Sequence, residues 1–315
     1  MSSVSPIRRG TVRGVAGRPE LRHPVNEASP DIAHTVAALR ETVSGWRAAG
    51  ETVALVPTMG ALHDGHMALV ERALANADRT VVSIFVNPTQ FSPSEDLDNY
   101  PRTEAEDLLK LAAVGVDLAF MPSAAEMYVP GATTTVTVGG LSDGLCGAMR
   151  PHFFGGVATI VTKLLLQCLP DQAIFGEKDY QQLQVIRQMA RDLDIPVEIV
   201  GAPTVREADG LALSSRNAYL TPAERCIAPV MHQTLLEMAD RLTGDDTASI
   251  GAIISAGWQT LEKAGFQEIE YLALCDASTL APLSRIDAPA RLLVGAWLGE
   301  TRLIDNILVD VPTGD

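Results

Sequence analysis

Past residue 28, short, mostly apolar runs alternate with longer stretches in which apolar residues recur every three to four positions. The runs TVALV (52–56), TVVSIFV (80–86), VDLAFM (116–121), QAIF (172–175) and VEIV (197–200) read as strands with both faces buried. Helical spacing predicts helices from Asp31 to Ala49, from about Gly65, over 103–113, over 156–169 and over 179–193. The first of these has a Ser-Pro start and a glycine stop. Strand and helix in turn predict an α/β fold, a Rossmann-like parallel sheet covered on both faces.

After about Val205 the pattern changes. LTPAERCIAPVMHQTLLEMADRL (220–242) places Thr221 as N-cap, Pro222 at the first helical position and Glu224 where it closes a capping box. A helix near 247–264 follows, then three strand-like runs, EIEYLALC, RLLVGAWL and TRLIDNILVD. Segregated helices and strands predict a smaller C-terminal α+β domain. The expected division is a disordered tail at 1–28, a Rossmann-like domain at 29–204 and the smaller domain at 205–315.

In parallel α/β sheets, ligands sit outside the carboxyl ends of the strands. The polar, glycine-bearing stretches PTMGALHDGH, NPTQF and GEKDYQQ each follow a predicted strand, so three loops are expected to converge on one crevice.

Charge narrows the partners. The chain has 315 residues, a formal net charge of −15 and only four lysines, which argues against a surface built for nucleic acid. Residues 1–28 are the exception, with five arginines against two acids among prolines and glycines, and they read as a disordered extension rather than an amphipathic transit helix. Cys146, Cys168, Cys226 and Cys275 lie far apart with no CxxC pair, so neither a structural zinc site nor a redox dithiol is suggested. No apolar run approaches the roughly 20 residues that span a bilayer, and a cytoplasmic location is expected, with no membrane partner.

His63 and His66 stand three apart at the mouth of the first strand-to-helix turn. By residue type alone they are polar groups of an exposed turn, metal ligands or phosphate donors. The helical metalloprotease pair needs its histidines four apart with a glutamate after the first, so the metal reading is weakened. The phosphate reading uses Gly60 for close backbone approach and a helix opening at Gly65 and His66, whose N-terminus favours anions. Lys178 is a solvated lysine at a helix start or a point charge for phosphates, and Ser214, Ser215 and Arg216 are an ordinary turn or an anion-binding loop.

HDGH resembles the HxGH signature of a nucleotidyltransferase superfamily. Taken with SIFVNPTQF, YPRT, FGEKDYQQLQVIRQM and PTVREADGLALSSRNAYL, the chain resembles the pantoate–β-alanine ligase family from about residue 30 to 310. That resemblance implies ATP-dependent condensation of pantoate with β-alanine through a pantoyl-adenylate, releasing pyrophosphate and AMP, with ATP and Mg²⁺ as cofactors and a homodimeric assembly. It implies catalytic roles for His63, His66, Lys178, Ser214, Ser215 and Arg216. ATP would contact Met59, Gly60, Ala61, Leu62, Asp64 and Gly65 beside the two histidines, then Gly176, Glu177 and Asp179 beside Lys178, and finally Val205 and Leu213 beside the Ser-Ser-Arg turn. The family has methionine where this chain has Leu213. Gln90 and Gln182 would bind pantoate, and Asp107 would help hold Mg²⁺ or else be a charge on a solvated helix face.

Other readings are separable. A tRNA synthetase needs an anticodon-binding module that this short acidic chain lacks. A transferase that moves AMP onto a phosphate ester lacks the paired glutamine loops, and a silent nucleotide-binding protein would bind ATP without releasing pyrophosphate. One stretch departs from the family pattern R-P-x-H-F-x-G-V: RPHFFGGV (150–157) puts either His152 or Phe153 at the histidine position, depending on register. The expectation is that His152 reaches the substrate site from a displaced backbone.

Overall fold

In a computed structural model of the chain, residues 29–91, 100–244 and 247–310 are described. The expected disorder of 1–28 lies outside them. The first six strands are β1 (Asp31–Ala33), β2 (Val53–Thr58), β3 (Arg79–Ile84), β4 (Leu118–Phe120), β5 (Gln172–Gly176) and β6 (Glu198–Ala202), in one parallel sheet ordered β1-β4-β3-β2-β5-β6. Its larger helices are α1 (Val36–Ala48), α2 (Asp64–Asn76), α3 (Glu104–Val114), α6 (Phe153–Cys168) and α7 (Tyr180–Asp192), with short turns α4 (Ala124–Met127) and α5 (Cys146–Met149) between. One apolar cluster runs from α1 through Leu55 and Phe120 to α6 and α7, and a second covers the other face through Val56, Leu62, Val70 and Leu111. The Rossmann-like reading therefore holds.

Two boundaries differ from the sequence expectation. Asp31–Ala33 is extended rather than helical, because it pairs with Leu118–Phe120 at the sheet edge, and the helix begins only where Thr35 Oγ1 accepts the Ala38 N–H at 3.2 Å. α6 begins at Phe153, three residues before Gly156. There a Cβ on Gly156 would lie 2.5 Å from the Thr89 carbonyl oxygen, so glycine is what lets α6 reach the NPTQF loop.

The chain order reverses between β2 and β5. β2 pairs with β3 along all six residues but with β5 only at Ala54 and Leu55. Pro57 has no N–H to continue a ladder, and the two strands part toward their carboxyl ends. That opening is the crevice expected at a switch point.

The remaining chain forms α8 (Pro222–Ile227), α9 (Val230–Thr243) and α10 (Ile250–Ala264) over an antiparallel sheet of β7 (Glu268–Asp276), β8 (Ala290–Leu298) and β9 (Thr301–Val309), ordered β7-β8-β9. The Thr221–Glu224 capping box is present. The single helix read over 221–242 is two, because Pro229 cannot donate the backbone hydrogen bond that would carry the helix across. The smaller sheet leans on α7: Tyr180 donates to the Ala277 carbonyl at 2.8 Å, and the Arg291 guanidinium lies 3.7 Å over the Tyr180 ring.

Candidate active site

The loop after β2 turns through two left-handed residues, Gly60 (φ 80°) and Ala61 (φ 49°), then enters α2. A histidine rather than a hydroxyl residue caps that helix. His63 Nδ1 accepts the Gly65 N–H at 3.1 Å, and His66 Nδ1 faces the His63 N–H at 3.4 Å, a reciprocal capping box built from two imidazoles. Gly65 is needed here, since a Cβ on it would sit 2.8 Å from the His63 ring. The rings lie 4.1 Å apart, tilted by 36°.

This arrangement sets the proton. With Nδ1 accepting a backbone N–H, each neutral ring carries its hydrogen on Nε2. Burial, then the neighbouring His63, pushes His66 down to about 3, and burial, then the Lys178 charge, lowers His63. Near neutral pH, His66 is thus a neutral Nε2–H donor, and the same forces bias His63 to that form. Lys178 sits in the turn Glu177–Asp179 that follows β5, its Nζ 3.8 Å from Asp179.

The third loop comes from the far side of β6. Ser214 caps the turn Ser215–Tyr219, its Oγ accepting the Arg216 N–H at 3.3 Å. The Tyr100 hydroxyl hydrogen-bonds Ser215, and burial, partly offset by that bond, raises the phenol's pKa. Gln90 is buried, with its amide on Met59 Sδ at 2.9 Å and its carbonyl accepting from Asn87 at 3.1 Å.

One cleft gathers Met59, His63, Gly65, His66, Gln90, Gly176, Lys178, Asp179, Gln182, Val205, Leu213, Ser214, Ser215 and Arg216. Other expected residues are not in its lining. Gly60, Ala61 and Leu62 turn beneath it, Asp64 is exposed, and Glu177 pairs with Arg291 at 3.2 Å.

Two expectations need correction. Asp107 is fully buried, and its carboxylate accepts the N–H groups of Ala61 at 2.9 Å and Leu62 at 2.8 Å, with the Thr103 hydroxyl at 3.2 Å. It fastens the histidine loop to α3 and is in no position to hold Mg²⁺ in the cleft. His152 is exposed at the start of α6, outside the cleft, whereas Phe153 lines the cleft with the Arg150 guanidinium 3.9 Å over its ring. Gly156, and not Gly155, is the glycine packed against Thr89, the place a glycine takes in the ungapped register.

Several cleft residues escaped the sequence reading: Tyr100, Arg150, His232, Arg302 and Asp305. Tyr100 carried a signal as the first residue of YPRT, and Arg150 as the first residue of RPHFFGGV. Asn87, also in the lining, was quoted within NPTQF without a role. Its side-chain amide donates to the Gly156 carbonyl at 3.2 Å, and its oxygen accepts from the Tyr128 hydroxyl at 2.7 Å. Among the described residues no group of three or more His, Cys, Asp or Glu could hold a metal ion. The cysteines are free, with Cys226 exposed and the other three buried.

Comparison with known proteins agrees with this fold. The family model described as pantoate-beta-alanine ligase matches residues 31–308. A pantothenate synthetase of Paramagnetospirillum magneticum is 58% identical over 280 residues, spanning 89% of this chain and 98% of the relative. That of Caulobacter vibrioides is 55% identical over 287 residues, spanning 89% and 99%. Among solved structures, pantothenate synthetase from Thermus thermophilus superposes with a TM-score of 0.83 at 48% identity, covering 88% of this chain and 98% of that one. A pantoate-beta-alanine ligase from Francisella tularensis, complexed with beta-gamma ATP and beta-alanine, gives 0.74 at 32% identity, covering 89% and 98%.

Proposed function

This chain belongs to the pantoate–β-alanine ligase family, enzymes of ATP-dependent pantothenate formation, and on that premise we propose that its cleft runs the reaction in two half-steps. The observation that supports this most is the lining of one cleft by His63 and His66, each with Nδ1 on a backbone N–H, together with Lys178 and the Ser214–Arg216 turn. A free carboxylate is a poor electrophile, so it must be activated first. A pantoate carboxylate oxygen attacks the α-phosphorus of ATP, the bond to the β-phosphate oxygen breaks, and pyrophosphate leaves. The β-alanine amine then attacks the acyl carbon, the bond to AMP breaks, and the nitrogen loses a proton.

Each group has a task in the first half-step. His63 and His66 hold phosphate oxygens and stabilise the charge that develops there, without a proton change of their own. Lys178 meets the β- and γ-phosphates as a point charge, and Arg216 binds the departing pyrophosphate with paired N–H donors. Gln90 and Gln182 orient pantoate, since an amide both donates and accepts. Gln90 is already fixed by Asn87 and Met59, so less ordering is left for binding.

The Mg²⁺ that accompanies ATP fits as part of the substrate. Among the described residues, the carboxylates in the cleft lining are Asp179 and Asp305, and Asp305 is taken by Arg206 at 2.6 and 2.8 Å. Of the two, Asp179 is left to approach the ion, which otherwise rides on phosphates and water. No described helix is long and apolar enough to cross a membrane. We place the enzyme in the cytoplasm as a homodimer acting on small molecules, with residues 29–204 as the nucleotide- and pantoate-binding unit and 205–315 as the smaller one.

The test is order of release. ATP and pantoate alone should yield about one equivalent of pyrophosphate per site, as acyl transfer by this route requires. ADP and phosphate instead would mean an acyl phosphate, and pyrophosphate only after β-alanine is added would mean a concerted route.

A further inference from the structure

The two cationic loops of the cleft come from opposite sides of β6, yet they are fastened to the side chains of two consecutive residues of β9, one loop to each. Successive side chains of a strand point to opposite faces. On one face the buried Asp305 carboxylate takes both terminal nitrogens of Arg206, at 2.6 and 2.8 Å. Arg206 in turn donates to the Gly210 carbonyl at 3.1 Å and closes the base of the loop that carries Ser214, Ser215 and Arg216, where Leu213 N–H meets the Val205 carbonyl at 3.0 Å. On the other face the buried Asn306 amide donates to both the Glu177 and the Lys178 carbonyls, each at 2.9 Å. Arg291 completes this side: it donates to the Asn306 oxygen, pairs with Glu177 and stacks on Tyr180.

We infer that Asp305 and Asn306 are positioning residues for adenylation, setting the Lys178 turn and the Ser-Ser-Arg loop at a fixed spacing across the triphosphate. The inference rests on the reading above that both loops grip the phosphates. Its physical content is that, among the described residues, Lys178 has no other anchor of this kind. Its turn is a single 3-10 turn with no side-chain cap, and two of its carbonyls accept the Asn306 amide. Displacing a phosphate-binding cation by about 1 Å is enough to cost on the order of a hundredfold in rate. The small domain then acts on the chemistry through β9 without its Asn306 side chain touching a reacting atom.

A double-mutant cycle tests this, read by pantoate-dependent exchange of pyrophosphate into ATP. Asn306→Ala should slow exchange by about ten- to a hundredfold with Lys178 present, and by less than about twofold in a Lys178→Ala background, because its effect travels through that lysine. The β-alanine step, started from added pantoyl-adenylate, should change by less than about twofold. Asn306→Asp keeps an oxygen for Arg291 and removes the two donors, so it carries the test if the alanine variant fails to fold. The matching cycle pairs Asp305→Asn with Arg216→Ala. An equal loss in both backgrounds, or an equal loss in both half-steps, would show a merely structural role and overturn the inference. Full exchange in Lys178→Ala alone would sink the functional reading of that lysine and the inference with it. Loss there with full exchange in Asn306→Ala would sink the inference only.

Discussion

The histidine loop at 57–66 and the serine–arginine loop at 204–217 face each other across the cleft, and they are held in different ways. The first is fastened within its own sheet unit: Asp107 takes two of its N–H groups, Lys110 donates to the Leu62 carbonyl, and the two imidazoles cap α2. The second is held at its base by Asp305 of the smaller sheet, in its own unit, and meets the larger unit through Tyr100 from before α3. Donors that must meet a charge without reorganising are most effective when already fixed. The histidine loop meets that condition alone, whereas the Ser215 end of the serine–arginine loop meets it only when the two units are docked.

The contrast can be broken by removing the charge carriers themselves. Alanine at His66 or Lys178 should slow pyrophosphate formation by about 10²–10³, as losses of an aimed donor do, while the β-alanine step from added adenylate stays near normal. A defect confined to the β-alanine step, measured by rapid quench, would reverse these assignments.

Loosening the first loop should be next in size. Asp107→Asn leaves one of the two buried N–H groups facing an amide that cannot accept, and it should cost about 2 kcal/mol of stability. Activity should fall with it, because both histidines ride on that loop. Thermal unfolding and the KM for ATP, read together, would separate this from a metal-ligand role, which would show as a weakened Mg²⁺ dependence with unchanged stability.

A smaller effect is expected in the titration of the pair. Folded His66 sits near 3, against the ordinary 6.5, so between those values the unfolded chain binds the extra proton. Stability from this residue is therefore fully present above about pH 6.5 and lost as pH falls toward about 3. Comparing the pH dependence of unfolding in the wild type and His66→Gln should show the wild type losing more on acidification. A His66 proton titrating near 6.5 by NMR would contradict the buried, neutral pair.

Least of all should come from His152→Ala, an exposed position outside the cleft, with activity within about twofold of wild type, as for most surface changes. Arg150, Phe153 and Val157 are the residues of this stretch that line the cleft, with the Arg150 guanidinium over the Phe153 ring.

The two loops were not equally legible in the sequence. Apolar runs bounded by glycine and proline announced the central strands, and motifs announced His63, His66, Lys178 and Ser214 to Arg216. The three-residue β1 was hidden, because so short a strand has no period of its own and owes its form to Leu118–Phe120. Asp107 was legible as a carboxylate in the first turn of a helix, but a solvated acid and a buried clamp look alike in one dimension. Asp305 and Asn306 lay inside the strand TRLIDNILVD, where only the partner loops, some 90 to 130 positions earlier in the chain, give them meaning. The placing of His152 was obscure for a different reason: glycines at 155 and 156 made a shift look permissible, and the packing of Gly156 on Thr89 and the exposure of His152 appear only in three dimensions.

The claim that unites both loops is that they serve transfer of AMP to a carboxylate, and an isotope label reads it directly. Pantoate carrying ¹⁸O in its carboxylate, turned over with ATP and β-alanine, should deliver one labelled oxygen to AMP for each pantothenate formed, because the oxygen that attacked phosphorus leaves with the nucleotide. Label appearing in inorganic phosphate, with unlabelled nucleotide, would contradict the account.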